Sequence, residues 1–268
     1  MAKLKRLFYG LPMMAPYRAF RTAQLASRHR LHPLGFLFAG SETYFDAAWE
    51  VAERDTISRS LAQADVFIDV GANQGIYTCL AAAAGVQTAA IEPEAGNLRF
   101  LLSNIHANGF RNVEIFPVAL AAAAGVETFY GDGDVASLIL GWHQVRRSFS
   151  QLVPSNSLDN LFADRWADRR LFLKVDVEGA EMDVLRGATR LLARSAPTTW
   201  LLETFLFNRD KGRSLNTQFG TLFEMMFDTG YACSRVDTGA EITAADVRQW
   251  VARPLEAALG RSNFLFRR

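Results

Sequence analysis

The segment Asp69-Val70-Gly71-Ala72-Asn73-Gln74-Gly75 closes one apolar run, Val66 to Val70, and opens another, Ile76 to Ala84. A buried strand that breaks at two glycines and continues as an apolar helix has the layout of a nucleoside-binding loop in an open α/β sheet. Glycine at positions 71 and 75 lets backbone approach a ligand where a Cβ would collide. A second apolar run, Val86 to Ile91, ends in Glu92 and Pro93 about 20 residues further on. The two carboxylate oxygens of Glu92 match two vicinal ribose hydroxyls, and Pro93 fixes the turn that aims them. The plainer alternative is a surface glutamate before a turn. Asp69 either organises the loop and reaches the amino end of a bound cofactor or caps the turn's N–H groups. Asn73 either caps the helix or touches the ligand. Val118 and Ala119 follow the third apolar run, where backbone amides can meet an adenine edge. The spacing lacks the third glycine of dinucleotide loops. The expected ligand is therefore a nucleoside without a pyrophosphate, and S-adenosylmethionine is the candidate cofactor.

A second set of chemistry-bearing residues follows the apolar run Leu171 to Val175, which ends in Asp176, Glu178, Gly179 and Glu181. Gly179 permits a sharp turn, and the acids then stand near a helix start, where they either face an acceptor molecule or stabilise the helix dipole. Lys174 lies inside the apolar run and needs a carboxylate partner or a route to solvent. Paired with one of these acids, it would hold that acid ionised as a base. Methyl transfer from a sulfonium asks for that equipment: acceptor and methyl group held in attack geometry, and a group to take the acceptor's proton. His143, beside Trp142, is either a further base or a packing residue. A divalent metal on Asp176, Glu178 and Glu203 is the other use of such acids. No histidine accompanies them at ligand spacing, so no metal is expected.

These residues need a sheet to line them up. Strands are expected at Val66–Val70, Val86–Ile91, Val113–Val118, Leu171–Val175, Thr199–Leu202, Tyr231–Val236 and Asn263–Phe266. Helices are expected over Gly75–Ala84, Ala95 to about Asn108, Ala180 to Leu192, and Thr217 to Asp228. Near-continuous apolar strands alternating with amphipathic helices imply a mostly parallel sheet covered on both faces. Right-handed crossovers then bring Asp69, Glu92, Asp176 and Glu203 to one rim. The stretch from Ala119 to Leu158 is less regular, with a turn signal at Gly131-Asp132-Gly133-Asp134 and a possible hairpin. Residues 1–55 read as a short helical extension, punctuated by Pro12, Pro16 and Pro33 and a possible lid, ahead of an α/β domain over 56–268.

The combined text resembles the FkbM-type methyltransferases. It comprises Phe67-Ile68-Asp69-Val70-Gly71-Ala72-Asn73-Gln74-Gly75, Glu92-Pro93, Asn104 with Asn108-Gly109, Val118-Ala119-Leu120 and Ser157-Leu158-Asp159. Leu173-Lys174-Val175-Asp176-Val177-Glu178-Gly179-Ala180-Glu181 and Leu185-Arg186-Gly187-Ala188 complete it. The resemblance implies a Rossmann-like seven-stranded sheet in the order 3-2-1-4-5-7-6 with helices on both faces. It also implies S-adenosylmethionine as donor and a hydroxyl acceptor on a sugar, lipid or polyketide-like molecule. The cofactor is then expected on Asp69, Gly71, Asn73, Gly75, Glu92, Pro93 and Ala119. Asp176, Glu178, Lys174 and His143 are expected to serve the chemistry of O-methylation on a small molecule, sugar or glycan. The rivals are a nicotinamide-dependent oxidoreductase on a similar sheet and a binding module without turnover.

Composition narrows the setting. Half of the 268 residues are hydrophobic, enough for a real core, and the net charge of +1 gives no overall bias toward nucleic acid. The charge is uneven, with Lys3, Lys5, Arg6, Arg18, Arg21, Arg28 and Arg30 preceding the first acid, Glu42. That basic stretch is read as a solvated face or lid before a membrane contact. Two cysteines, Cys79 and Cys233, give no disulfide framework, so a cytoplasmic setting is expected.

Overall fold

The structure, a computed structural model, describes residues 15–131, 136–140, 142, 150–209, 214–255, 257, 259 and 263–268, with side chains from Arg21 onward. Among the described residues its main sheet has eight strands rather than seven. From one edge to the other they run β5 (Val113–Phe116), β4 (Gln87–Ile91), β3 (Val66–Val70), β9 (Leu171–Val175), β10 (Thr198–Glu203), β13 (Asn263–Arg267), β11 (Ala232–Arg235) and β12 (Glu241–Ile242). The extra strand, β12, has two residues, too short for any periodicity to announce it. The strands from β5 to β10 pair in parallel, and β13 enters antiparallel between β10 and β11.

Strand pleating divides the core. Val66, Ile68, Val70, Leu171, Leu173, Val175, Trp200 and Leu202 pack on one face. Phe67, Phe172, Leu201 and Leu265 pack on the other. Side chains alternate along each strand, so both faces are apolar and the runs read as continuous. Helix α2 (Val51–Leu61) and helix α3 (Ile76–Ala83) cover the second face with Ile57, Leu61, Ile76 and Cys79. Helix α2 runs straight through position 55, where a boundary between extension and domain was expected.

The segment before α2 is fastened to the sheet rather than appended to it. Helix α1 (Ala15–Ala26) lies near α4 (Ala95–Ala107), and Ser103 donates its hydroxyl to the Ala26 carbonyl at 2.7 Å. The short hairpin β1 (Arg30–Leu31) and β2 (Leu37–Phe38) follows. Two asparagine side chains of one helix edge grip it. Asn104 accepts from Ala39 N at 2.8 Å and donates to Ala39 O at 2.9 Å, while Asn108 does the same to Leu37 at 2.8 and 2.7 Å. Spaced i and i+4, these amides stand in for a neighbouring strand. Phe36 and Phe38 then enter the second core.

The irregular stretch after β5 forms a second sheet. β7 (Gly125–Tyr130) pairs antiparallel with β8 (Ser150–Asn156), and β6 (Ala119–Leu120) flanks β8. The Gly131–Asp134 turn signal lies largely outside the described residues. The single helix expected over Ala180–Leu192 is instead two, α6 (Glu181–Arg186) and α7 (Thr189–Ala193). A Cβ on Gly187 would stand 2.3 Å from the Ala121 carbonyl, so the second sheet presses on the helix there. Asp159, in α5 (Leu158–Phe162), accepts from Arg190 N at 2.8 Å and Leu191 N at 3.0 Å, which caps the restart.

Candidate active site

Parallel pairing sets Asp69 opposite Lys174 on neighbouring central strands. Pleating puts both on the face that carries Phe67 and Phe172, the face that the N-terminal segment covers. Lys174 is 6% exposed. Its ammonium lies 2.8 Å from Asp176 Oδ2 and 5.3 Å above the centroid of the Tyr77 ring. Burial would drive its proton off, but the carboxylates of Asp176, Asp69 and Glu50 outweigh burial and push its pKa up. The lysine is therefore a fixed cation.

Its neighbours divide accordingly. Burial opposes the charge on Asp176, yet the adjacent ammonium outweighs it and holds this carboxyl below its ordinary value. Glu203, at the end of β10, is driven the other way by burial and by the charge of Asp176. Glu178 is pushed up to about 7, by burial first and then by Asp176. It sits in the left-handed region (φ 54°) and accepts from Trp142 Nε1 at 2.6 Å. Its carbonyl accepts from the buried Ser137 hydroxyl at 2.7 Å. Glu181 is turned inward, with Oε1 accepting from Gly179 N at 2.9 Å, and burial raises it to about 8. It holds the turn instead of facing an acceptor. His143 lies outside the described residues.

Glu92 is also buried, at 4% exposed. Oε2 accepts from Asn73 N at 2.8 Å and Oε1 from Glu94 N at 2.9 Å, with Asn97 Nδ2 at 3.4 Å. Burial nonetheless lifts its pKa to about 7. Its two oxygens are thus not reserved for a ligand, as the sequence suggested; they also tie the glycine loop to the end of β4. Asn73 does not cap the helix, since Gly75 occupies that position without a side-chain bond.

The glycines also answer to contacts inside the protein. Gly71 (φ +79°) faces Asp176, whose carbonyl oxygen a Cβ would approach to 1.9 Å. Gly75 (φ +88°) faces Leu101, whose Cδ1 would stand at 2.5 Å. Each glycine admits another part of the protein, and Gly71 binds the ends of β3 and β9 into one unit.

Two cavities meet here. One has apolar walls from Ile91, Val118, Ala119, Phe129 and Leu138, with Glu92 and Pro93 at its side. The other lies over Asp69, Lys174 and Glu203 and is walled by Tyr44, Trp49 and Glu50. Gly71, Asn73, Asp176 and Glu178 line both. The apolar lining of the first cavity would suit an adenosyl group, with ribose at Glu92, where Oε2 has capacity for another donor. Two buried acceptors without a donor, Asp69 Oδ1 and Asn73 Oδ1, suit an ammonium at the junction. Among the described residues, no group of three His, Cys, Asp or Glu side chains is placed to hold a metal ion.

Sequence reasoning missed Glu50, Trp49 and Tyr77. Tyr77 donates to Glu50 Oε2 at 2.5 Å, and Trp49 stacks on Tyr77 with centroids 5.7 Å apart and planes at 26°. The available signal was Lys174 itself, since a buried cation calls for more negative charge than one aspartate.

Two solved structures are distantly similar to the chain. The precorrin-6y C5,15-methyltransferase of Geobacter metallireducens GS-15 is 13% identical, with 88% of this chain and 98% of that chain covered and a TM-score of 0.44. The ribosomal protein L11 methylase of Lactobacillus delbrueckii subsp. bulgaricus is 12% identical, covering 89% and 83%, with a TM-score of 0.43. Likeness so distant says nothing of substrate. No curated protein matches the chain. Residues 69–233, more than half of the chain, match the model of the methyltransferase FkbM domain. The matched span takes in the glycine loop, Glu92 and the strand carrying Lys174 and Asp176, and on that ground the chain belongs to the FkbM methyltransferase family, whose members depend on S-adenosylmethionine.

Proposed function

We propose that the chain methylates a hydroxyl group on a small molecule, sugar or glycan, with the adenosyl end of S-adenosylmethionine in the apolar cleft and the acceptor in the carboxylate-walled cavity. The observation that carries this reading is the shared wall. Asp176 and Glu178 line both cavities, so they stand where an acceptor oxygen and a methyl group would meet. When bound, the cofactor supplies an activated methyl carbon on a sulfonium. Transfer of that methyl to an acceptor oxygen would leave the S–C bonding pair on sulfur and release the hydroxyl proton to a carboxylate of this wall. Glu178, raised to about 7, matches neutral pH as proton acceptor, while Asp176, kept ionised by Lys174, orients the hydroxyl.

Asp69, Asn73 and Glu92 would hold the cofactor's polar groups, and Pro93 and Ala119 would border its adenosine. A cytoplasmic setting belongs to the same proposal, supported by the free buried thiols of Cys79 and Cys233. So does the absence of a nucleic-acid partner, supported by the near-neutral net charge. Among the described residues no helix is long and apolar enough to cross a membrane. The test is mass spectrometry of metabolite extracts incubated with enzyme and methyl-labelled donor, with Asp176→Asn as control. A labelled product that gains one CH2 on oxygen, absent with the variant, supports the reading. A product labelled on nitrogen or carbon would overturn it.

A further inference from the structure

The N-terminal segment brings two aromatic rings, Tyr44 and Trp49, and one carboxylate, Glu50, to the carboxylate-walled cavity, where Tyr77 of α3 adds a third ring. Tyr44 meets Trp49 edge-on, with centroids 4.9 Å apart and planes at 84°, and Trp49 in turn stacks on Tyr77. Glu50 follows Trp49 directly and sits at φ 44°, a strained value for a non-glycine residue. That strain is kept at the one place where Glu50 meets Tyr77 and borders the cavity with Asp176 and Glu203. The Asn104 and Asn108 clamps hold the preceding strand, so the wall is built in place.

The lining sorts the possible acceptors. The apolar contribution is small, from Ala72 and Ile76, while Ser41, Thr43, Glu50, Glu203 and Arg209 are polar or charged. An aliphatic or polyketide surface would leave these groups desolvated without partners. A compact ring with C–H bonds on one face and hydroxyls around its edge suits both parts of the wall. The indole and phenol rings cover the C–H face, and carboxylates take adjacent hydroxyls pairwise.

We infer that Trp49 and Glu50 are specificity-determining residues for a polyhydroxylated acceptor of pyranose size. Trp49 forms the stacking wall, and Glu50 receives hydroxyls of the ring that carries the methylated oxygen. This inference rests on the methyltransferase reading of the same site.

The test uses full-length protein labelled with 5-fluorotryptophan and saturated with S-adenosylhomocysteine. The methyl α-glycosides of glucose, galactose, mannose and rhamnose are titrated in and followed by fluorine NMR, with the Trp49 signal assigned from Trp49→Phe. At least one glycoside should move the Trp49 signal. Glu50→Gln, which keeps an acceptor for the Tyr77 hydroxyl, should weaken that glycoside about tenfold or more and leave S-adenosylhomocysteine affinity unchanged. If no glycoside moves the signal, or if cyclohexanol moves it and the glycosides do not, the inference fails while the methyltransferase reading stands. If the glycoside binds Glu50→Gln as tightly as wild type, Glu50 is not a specificity residue. Failure of S-adenosylhomocysteine itself to bind would overturn both readings.

Discussion

The backbone N–H of Asn73 donates to Glu92 Oε2 at 2.8 Å, so the acid that closes one strand holds the loop that closes its neighbour. Cofactor affinity should therefore depend on this carboxyl twice, through the ribose and through the loop. Glu92→Gln sets an amide N–H2 or a single oxygen against two backbone donors, and S-adenosylhomocysteine binding should weaken about 10- to 100-fold by calorimetry. The pH dependence has a definite sign. Hydroxyl donors prefer the ionised form, and the free carboxyl titrates at about 7. Affinity should rise with pH up to about 7, level off, and lose this dependence in Glu92→Gln.

Gly71 and Gly75 look equivalent in sequence but should not behave alike. At Gly71 a methyl group would meet backbone, the Asp176 carbonyl at 1.9 Å, whereas at Gly75 it would meet the movable end of Leu101. Gly75→Ala should cost about 1–3 kcal/mol, the range for a non-glycine residue held in left-handed backbone. Gly71→Ala should cost more, because β3 and β9 must separate. Urea denaturation of the two variants checks the ranking, and equal losses would refute it.

Lys174→Met should destabilise the protein by about 3–5 kcal/mol, since it strands buried carboxylates without their cation. Adding Asp176→Asn should restore part of that loss, as the variant aspartate no longer needs a partner. A double-mutant cycle on unfolding free energy measures the coupling. Additive losses would mean that the 2.8 Å pair contributes nothing beyond its separate residues.

Glu181 gives a stability signature. Its folded pKa, about 8, lies above the ordinary glutamate value, so the folded state prefers the protonated form. The contribution is fully present below the unfolded pKa and is lost as pH rises toward about 8. Glu181→Gln keeps an acceptor for Gly179 N and removes the titration. Calorimetric melting temperatures across that window should fall less steeply with pH in the variant than in wild type. Glu92 and Glu178 add to the wild-type slope in the same direction, so the variant should flatten it partially.

The central strands, the glycine loop and the acids that follow were legible because each is a local pattern: an apolar run, a turn residue, a charge at its end. Glu50 was not legible, because nothing local distinguishes it from any acid before a helix. Its role comes from Tyr77 and Lys174, which the fold brings to it. The split of α6 from α7 was hidden for a related reason. Gly187 sits within a pattern that reads as continuous helix, and what interrupts it is the Ala121 carbonyl of another sheet. Gly71 was picked out correctly as a special position for a reason that concerned ligand approach, while the contact that requires glycine there is with Asp176.

The paired asparagines of α4 carry a lesson for protein engineering. Because Asn104 and Asn108 bond to main chain at Ala39 and Leu37, their grip does not read the strand's side chains, and it is the second core that requires Phe36 and Phe38. That makes the hairpin and the stretch through Trp49 an exchangeable cartridge, seated by main-chain amide contacts and two buried rings. A graft of that stretch from a homologue that keeps rings at positions 36 and 38 should alter which acceptors are taken without rebuilding the donor site, whereas one that lacks those rings would expose raw core.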